Sequence, residues 1–260
     1  HYLFLTAMRF AADLEYKLPD SIPTRGHLLI SGNKLSKSRG WYISLQDFLE
    51  AFPADYLRYY LASITPYSQS DVNFDLDDFV ARINNELVAN MGNFIHRTLS
   101  FVSTRFNQEV PPITTKDADD EEFLDKLGKL PVNVGAKIYK NEFDRALKMI
   151  VEFSSNCNQY FQKKAPWTNL GNSKTCLNLC VNAVRSLSLT LYPYIPFSMS
   201  ELWSNLGCAD SIKEQSWNSA GDLLLSSGHR VREPRILFKK IEPSETKRWK
   251  DMLSMTNRIA

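Results

Sequence analysis

His27-Leu28-Leu29-Ile30-Ser31-Gly32-Asn33-Lys34-Leu35-Ser36-Lys37-Ser38-Arg39-Gly40 is the stretch on which the reading of this 260-residue chain turns. Its opening, His27 to Ser31, is a short apolar run rich in branched side chains and bounded by Gly32, which reads as a buried strand. The residues after Gly32 are too charged to be buried. Lys34, Lys37 and Arg39 are interleaved with Ser36 and Ser38 and flanked by Gly32 and Gly40, which let the backbone open and close. The expected element is a mobile cationic loop at a strand end. In an open α/β sheet, ligands bind in the crevice beyond the carboxyl ends of the strands, so a loop of this composition there suits a polyphosphate. A solvated surface loop would carry the same residue types.

Composition bounds the remaining options. The chain is long enough for two domains with real cores, and its formal charge of +2 is too small for a chain-wide attraction to nucleic acid. Any such contact must be local. Positive charge does cluster, in the loop above and again at Arg230, Arg232, Arg235, Lys239, Lys240, Lys247 and Arg248, while residues 71–125 are mostly acidic. The cysteines are Cys157, Cys176, Cys180 and Cys208, and no two stand in a Cys-x-x-Cys knuckle. The pattern indicates neither a metal site nor a disulfide framework, and it suits a reducing, cytoplasmic location. No apolar run reaches membrane-spanning length and no secretory signal opens the chain, so no membrane partner is expected. The sequence begins without Met, inside what reads as an element of a larger domain, and is expected to be the C-terminal part of a longer protein.

Upstream of the loop, Tyr2 to Leu14 has a helical stripe of Leu3, Phe4, Ala7, Met8 and Ala11, for which core packing is the expected role. Downstream, Leu45 to Ala51 and Pro53 to Ile64 read as short helices, the second with proline at its start. For Arg58, Tyr59 and Tyr60, packing and an ion pair are expected. Pro66 and the polar run Ser68 to Ser70 mark a boundary. From Asp75, which can cap a helix running Leu76 to Phe106, the character changes to long helices, with Ile83, Leu87, Met91, Phe94, Ile95, Thr98 and Phe101 keeping a 3.6-residue period. Asn90, Asn93 and Arg97 lie on another face. The i to i+4 step from Asn93 to Arg97 sets an amide beside a guanidinium, a pair suited to the edge of an unpaired base and equally to an ordinary polar face. Helices are expected at 118–137, 141–164, 175–192, 197–206 and 244–258, with residues 207–235 loop-rich. Between two of them, Ala165-Pro166-Trp167 reads as a proline at a helix start fixing a tryptophan, which is either a stacking platform for a splayed base or a core residue.

Gly32 to Gly40 resembles the KMSKS signature of class I aminoacyl-tRNA synthetases, in the version found in methionyl-tRNA synthetases. Leu35 stands where that family usually has Met, a near-isosteric apolar exchange. The resemblance implies that Lys37 is the main cationic clamp on ATP during attack by the methionine carboxylate and Lys34 the second, with Gly32, Leu35, Ser36 and Ser38 shaping the ATP-binding loop. It extends upstream, where His1 through Met8 is similar to the family's His-x-x-Phe-x-x-Ala-Met segment. That match implies that His1 and Leu5 help wall the methionine pocket, with Leu5 replacing the Trp of many bacterial relatives. It extends downstream through Asp55-x-Leu57-Arg58-Tyr59-Tyr60, through the Asn93, Arg97 and Trp167 positions that the family uses to read the CAU anticodon, and through Gly228-His229-Arg230 with Leu237 to Ile241, similar to a closing segment that folds back on the catalytic core.

The implied architecture is mostly α. Residues 1–70 would be the end of a Rossmann-type α/β nucleotide-binding domain with its cationic loop and stem-contact region, and residues 71–260 a helical-bundle anticodon-binding domain with a return segment. The implied function is methionine–tRNA ligation, with ATP and Mg2+, methionine and methionine tRNA as reactants and partners. The family's HIGH motif and its zinc-bearing insertion are missing, so zinc is not expected on this segment and the fragment alone should be inactive without the first half of the catalytic domain. Two alternatives stay open from the residues: a non-catalytic tRNA-binding module, and a class I synthetase for isoleucine, valine, leucine or cysteine.

Overall fold

The computed structural model describes residues 3–12, 17–168 and 170–257. It is mostly helical around one small three-stranded sheet of order β2-β1-β3. Strand β1 (Leu28–Ile30) lies in the centre, antiparallel to β2 (Asn33–Lys34) and parallel to β3 (Val72–Phe74), with Leu29 opposite Lys34 on one side and Asn73 on the other. Only Ile30 of β1 is fully buried. The segment read as one open loop is instead two consecutive hairpins. Ser31 and Gly32 both hold positive φ, 48° and 80°, which closes a two-residue turn between β1 and β2. Ser36 and Trp41 then exchange backbone hydrogen bonds of 2.9 Å each way around a second turn, Lys37 to Gly40, whose Gly40 has φ of 68°. The glycines therefore serve as turn residues.

Helices α2 (Leu45–Ala51) and α3 (Ala54–Ile64) form the crossover from the hairpins to β3. Pro53 is the cap residue of α3, one position earlier than the sequence suggests. Tyr59 and Tyr60 are fully buried and keep their hydroxyls paired, Tyr59 with Glu86 at 2.5 Å and Tyr60 with Asp78 at 3.0 Å. Burial, followed by the Glu86 charge, pushes the Tyr59 phenol well above its ordinary value, so it stays a donor. The ion pair expected of Arg58 does not form. Its guanidinium donates to the carbonyls of Pro193 and Tyr194, where chain leaving a helix has acceptors to satisfy. The expectation for the first helix also fails. Helix α1 (Phe4–Ala12) buries no residue, and Leu3, Phe4, Met8 and Phe10 are all more than 60% exposed, with residues 18–22 facing it across a cleft.

Asp75 caps α4 (Leu76–Arg82) by accepting from the N–H groups of Asp77 and Asp78. The helix then departs from the uniform 3.6-residue period. Residues Ile83–Gly92 form a π-helical stretch before α5 (Asn93–Arg105) resumes the α-helical register. Helices α6 (Ala118–Tyr139), α7 (Phe143–Lys164), α8 (Leu170–Leu191) and α9 (Pro196–Asn205) complete the bundle. Helix α8 is its centre, buried on every side from Cys176 to Leu191. Three of its buried polar side chains hold other parts of the chain. Asn178 donates to the Pro111 carbonyl, Asn182 both donates to and accepts from the backbone of Leu225, and Arg185 donates to the Ser219 carbonyl. Chain around Pro111, Ser219 and Leu225, the second of these in a short 3-10 turn at Trp217–Gly221, is thereby held against α8.

The return segment closes the structure. Tyr56 Oη both donates to the Lys239 carbonyl and accepts from its N–H, and Asn84 does the same with Ile241. Beyond it, helix α10 (Lys247–Asn257) places Trp249 flat against Phe48 of α2, with ring centroids 5.5 Å apart. His229 is a turn residue whose Nε2 lies 2.6 Å from the Leu206 carbonyl. Beside it, Gly207 holds φ of 73°, and a Cβ there would stand 2.1 Å from the Arg230 carbonyl oxygen. Gly207→Ala should therefore cost about 2 kcal/mol or more, combining a strained dihedral with a backbone clash. Urea unfolding of the two proteins would measure it, and an unchanged midpoint would contradict this packing.

Candidate functional site: a cationic double hairpin and a guanidinium-lined groove

The first candidate site is the pair of hairpins. Trp41 is its anchor: 4% exposed, it donates from Nε1 to the Ile30 carbonyl at 3.0 Å and so pins the second hairpin to the central strand. Gly32 N–H donates to Asn73 Oδ1 at 2.7 Å, which fixes the first turn to β3. The cations stand clear of this frame. Lys34, Lys37 and Arg39 are exposed, and none has a carboxylate partner among the described residues. Ser36 and Ser38 lie across the turn with their hydroxyls 3.2 Å apart. Leu35, 46% exposed, links the two hairpins and borders an apolar cleft. Three exposed positive charges on a backbone-bonded support, of which Lys34 also lies within electrostatic reach of Asp71, are chemically suited to an anion of several negative charges.

The second candidate site is a groove of about 720 Å³ between the α5 side of the long helix and α7. The π-helical stretch shapes it. Asn90 turns toward α7, where its Oδ1 accepts from Ser154 and Asn158 and its Nδ2 donates to Ser155. It is saturated and acts as a strut. Asn93, one turn on, is exposed, and its side chain has no hydrogen-bond partner among the described residues. Arg97 lies over two rings, 4.7 Å from the Phe161 centroid and 5.5 Å from that of Trp167, and its N–H groups make no hydrogen bond among the described residues. The rings orient a guanidinium without consuming its donors.

Trp167 is 40% exposed, and its ring also meets Phe101. It is held differently from the sequence expectation. Ala165 ends α7 in the left-handed region, φ 39°, and Pro166 leads a tight turn closed by Thr168 N–H donating to the Ala165 carbonyl, with α8 beginning only at Leu170. Asn93 and Arg97 thus line one groove, and Trp167 adjoins it through Arg97. Of the residues matched to a methionine pocket, Leu5 is half-exposed on α1 and His1 lies outside the described residues. Among the described residues no group of three or more His, Cys, Asp or Glu side chains is placed to hold a metal, and no helix is long and apolar enough to cross a membrane. Sequence reasoning missed Trp41 and Phe161. The position of Trp41 directly after Gly40 was a signal for the first, whereas Phe161 is indistinguishable from any apolar-stripe residue of α7.

Comparison with known proteins finds two family models along the chain. Residues 1–99 match the family model described as tRNA synthetases class I (M), so the class defined by the hairpins and their sheet is the class I aminoacyl-tRNA synthetases. Residues 110–258 match the anticodon binding domain of methionyl tRNA ligase. The chain belongs to the methionyl-tRNA ligase family. It is 39% identical over 233 residues to the methionine–tRNA ligase of Pyrococcus abyssi, covering 88% of this chain and 31% of that one. It is 34% identical over 268 residues to the methionine–tRNA ligase of Methanosphaera stadtmanae, covering 97% and 39% respectively. Among solved structures, Mycobacterium tuberculosis methionyl-tRNA synthetase in complex with methionyl-adenylate superposes with a TM-score of 0.81 at 26% identity, over 92% of this chain and 47% of that one. The chain thus spans about a third of the length of these curated relatives. The alternative of a synthetase for isoleucine, valine, leucine or cysteine falls away.

The stacked guanidinium can be tested on the protein itself. A double-mutant cycle with Arg97→Ala and Trp167→Ala, read by chemical denaturation, should give a coupling energy of about 0.5–2 kcal/mol, the range for a cation over an aromatic face. Zero coupling would contradict the arrangement.

Proposed function

We propose that this chain is part of a methionine–tRNA ligase, which joins methionine to ATP as methionyl-adenylate, releasing pyrophosphate, and then passes the methionyl group to its tRNA. On this reading residues 1–70 are the end of a Rossmann-type nucleotide-binding domain and residues 71–260 the anticodon-binding part. The observation that carries it is the pairing, in a chain of this family, of an unpartnered lysine hairpin with a groove whose free amide and guanidinium adjoin an exposed tryptophan.

Attack of the methionine carboxylate on the α-phosphorus of ATP builds negative charge on the phosphoryl oxygens and on the departing pyrophosphate. Ammonium groups already in place stabilise that charge more than the ground state. Lys37, at the second turn, is the main clamp, and Lys34, fixed on β2, is the second. Gly32, Ser36 and Ser38 set the backbone that presents them. Mg2+ would arrive with the phosphates of ATP, and no residue of this chain is assigned to it. Leu5, with His1, would contribute one wall of the methionine pocket. At the other site, Asn93 and Arg97 would hydrogen-bond the edges of unstacked anticodon bases and Trp167 would stack on one. The reaction places the protein with the translation machinery of the cytoplasm.

The test is Lys37→Ala in the full-length ligase. ATP–pyrophosphate exchange should slow about tenfold or more, since lost transition-state contacts lower kcat. The melting temperature should stay put, since an exposed lysine adds little to the fold. Unchanged exchange would refute the assignment.

A further inference from the structure

Arg25 and Arg58 stand well apart in the sequence yet line one recess of about 400 Å³. Arg58 belongs to α3, and Arg25 precedes β1 by three residues. The recess is otherwise mostly apolar, walled by Leu61 and Ala62 of α3, by Ile138 and Phe143 at the α6–α7 junction, and by Tyr194 between α8 and α9. Its size falls in the range of about 300–1,000 Å³ in which small molecules bind, and an apolar lining with a few fixed polar groups is the usual makeup of such sites. The lining includes two cations and no acid.

Both guanidinium groups are held in place. Arg25 donates from Nη2 to the Asn141 carbonyl at 2.7 Å, and its Cζ lies 5.4 Å from the Tyr67 ring centroid and 5.3 Å from that of Phe143. Arg58 donates from Nε to the Tyr194 carbonyl at 2.9 Å and from Nη2 to the Pro193 carbonyl at 2.8 Å. Neither is ion-paired among the described residues, and there Nε and Nη1 of Arg25 and Nη1 of Arg58 have no acceptor. Holding chain together explains the filled donors. It does not explain two charges left without a carboxylate beside one apolar recess. A guanidinium already oriented, with donors to spare, loses little freedom when an anion arrives.

We infer that this recess is a binding site for a small organic anion, a carboxylate carried on an apolar body. The spare guanidinium donors supply charge-assisted hydrogen bonds to the carboxylate, and the apolar walls take the body out of water. A bare inorganic anion would leave those walls wet, and the backbone of a nucleic acid would present charge with no apolar group to fill the space. The site is separate from the two described above, since none of its lining residues belongs to the hairpins or to the groove of Asn93 and Arg97. Its walls come from α3 on one side and from the helices of the bundle on the other, so an occupant touches both parts of the chain.

The test titrates the full-length ligase with naphthoate by calorimetry, with the uncharged naphthamide as its control. Naphthoate should bind with a Kd of about 1 mM or tighter, and naphthamide about tenfold more weakly or worse, because it lacks the charge that the guanidinium groups meet. Ala62→Leu fills the recess and leaves both arginines in place, so it should weaken naphthoate about tenfold or more at an unchanged melting temperature. Arg25→Lys keeps the charge but loses the planar fork, and should weaken naphthoate severalfold. No binding, or equal binding of naphthoate and naphthamide, would overturn the inference. So would full binding by folded Ala62→Leu, which would put the probe elsewhere, as on the exposed face of α1. Displacement of naphthoate by inorganic phosphate or by methionine tRNA would assign the arginines to a phosphate group and overturn it equally.

Discussion

Six aromatic rings decide how this chain is put together. Phe48 and Phe52 of α2, Tyr60 of α3, Phe74 of β3, Phe79 of α4 and Trp249 of α10 meet at centroid distances of 5.0 to 6.2 Å. Rings of this size dominate core energetics, and their edge-to-face contacts add orientation to burial. The cluster takes one ring or more from every element around the hairpins and one from the start of the long helix of the bundle. Because Trp249 comes from the last helix, the end of the chain is part of the support for its beginning. The paired hydrogen bonds of Tyr56 with Lys239 and of Asn84 with Ile241 run along the same seam. The hairpins and the bundle therefore share one continuous core.

On that core the two candidate sites have a common design, in which backbone and apolar contacts fix a cation whose donors are left free. Trp41 and the Ser36 ladder support the lysines, while Phe161 and Trp167 support Arg97. Neither site relies on a carboxylate to orient its cation. An ion pair would have neutralised the charge that an anionic or nucleobase ligand has to meet. The contrast with Lys164 is instructive. It bridges Asp117 and Asp120 and is only 12% exposed, a lysine used for structure.

Much of this is legible in the sequence because the relevant signals are local. Asp75 as a cap, the helices near Leu45 and Pro53 and the exposure of the cationic segment each depend on a few adjacent residues and are found as expected, whereas Pro166 leads a tight turn instead of starting a helix. The resemblance to methionyl-tRNA synthetases, carried by Gly32 to Gly40 and by the spacing of Asn93, Arg97 and Trp167, points to the family from residues alone. Other features are hidden because they depend on partners distant in the chain. The stripe on α1 looks like a core face, yet nothing among the described residues covers it. Arg58 is expected to pair with an acid, but helix-end carbonyls 135 residues away accept its protons. The π-helical stretch from Ile83 leaves a sequence pattern close to that of an α-helix, and only the packing of Asn90 against α7 reveals its effect.

On the proposed reading, adenylation at the hairpins and tRNA reading at the groove are separable, and Trp167 is the residue that tests the separation most cleanly. The most direct measurement is to assay Trp167→Ala in the full-length ligase for two activities at once, tRNA-independent ATP–pyrophosphate exchange and the charging of methionine tRNA. Exchange should run at the wild-type rate with charging weakened by about 1–3 kcal/mol, the usual value of one stacked base. If exchange fell in parallel with charging, or if charging fell equally on tRNA with an altered anticodon, Trp167 would be a packing residue and the division between the two sites would be wrong.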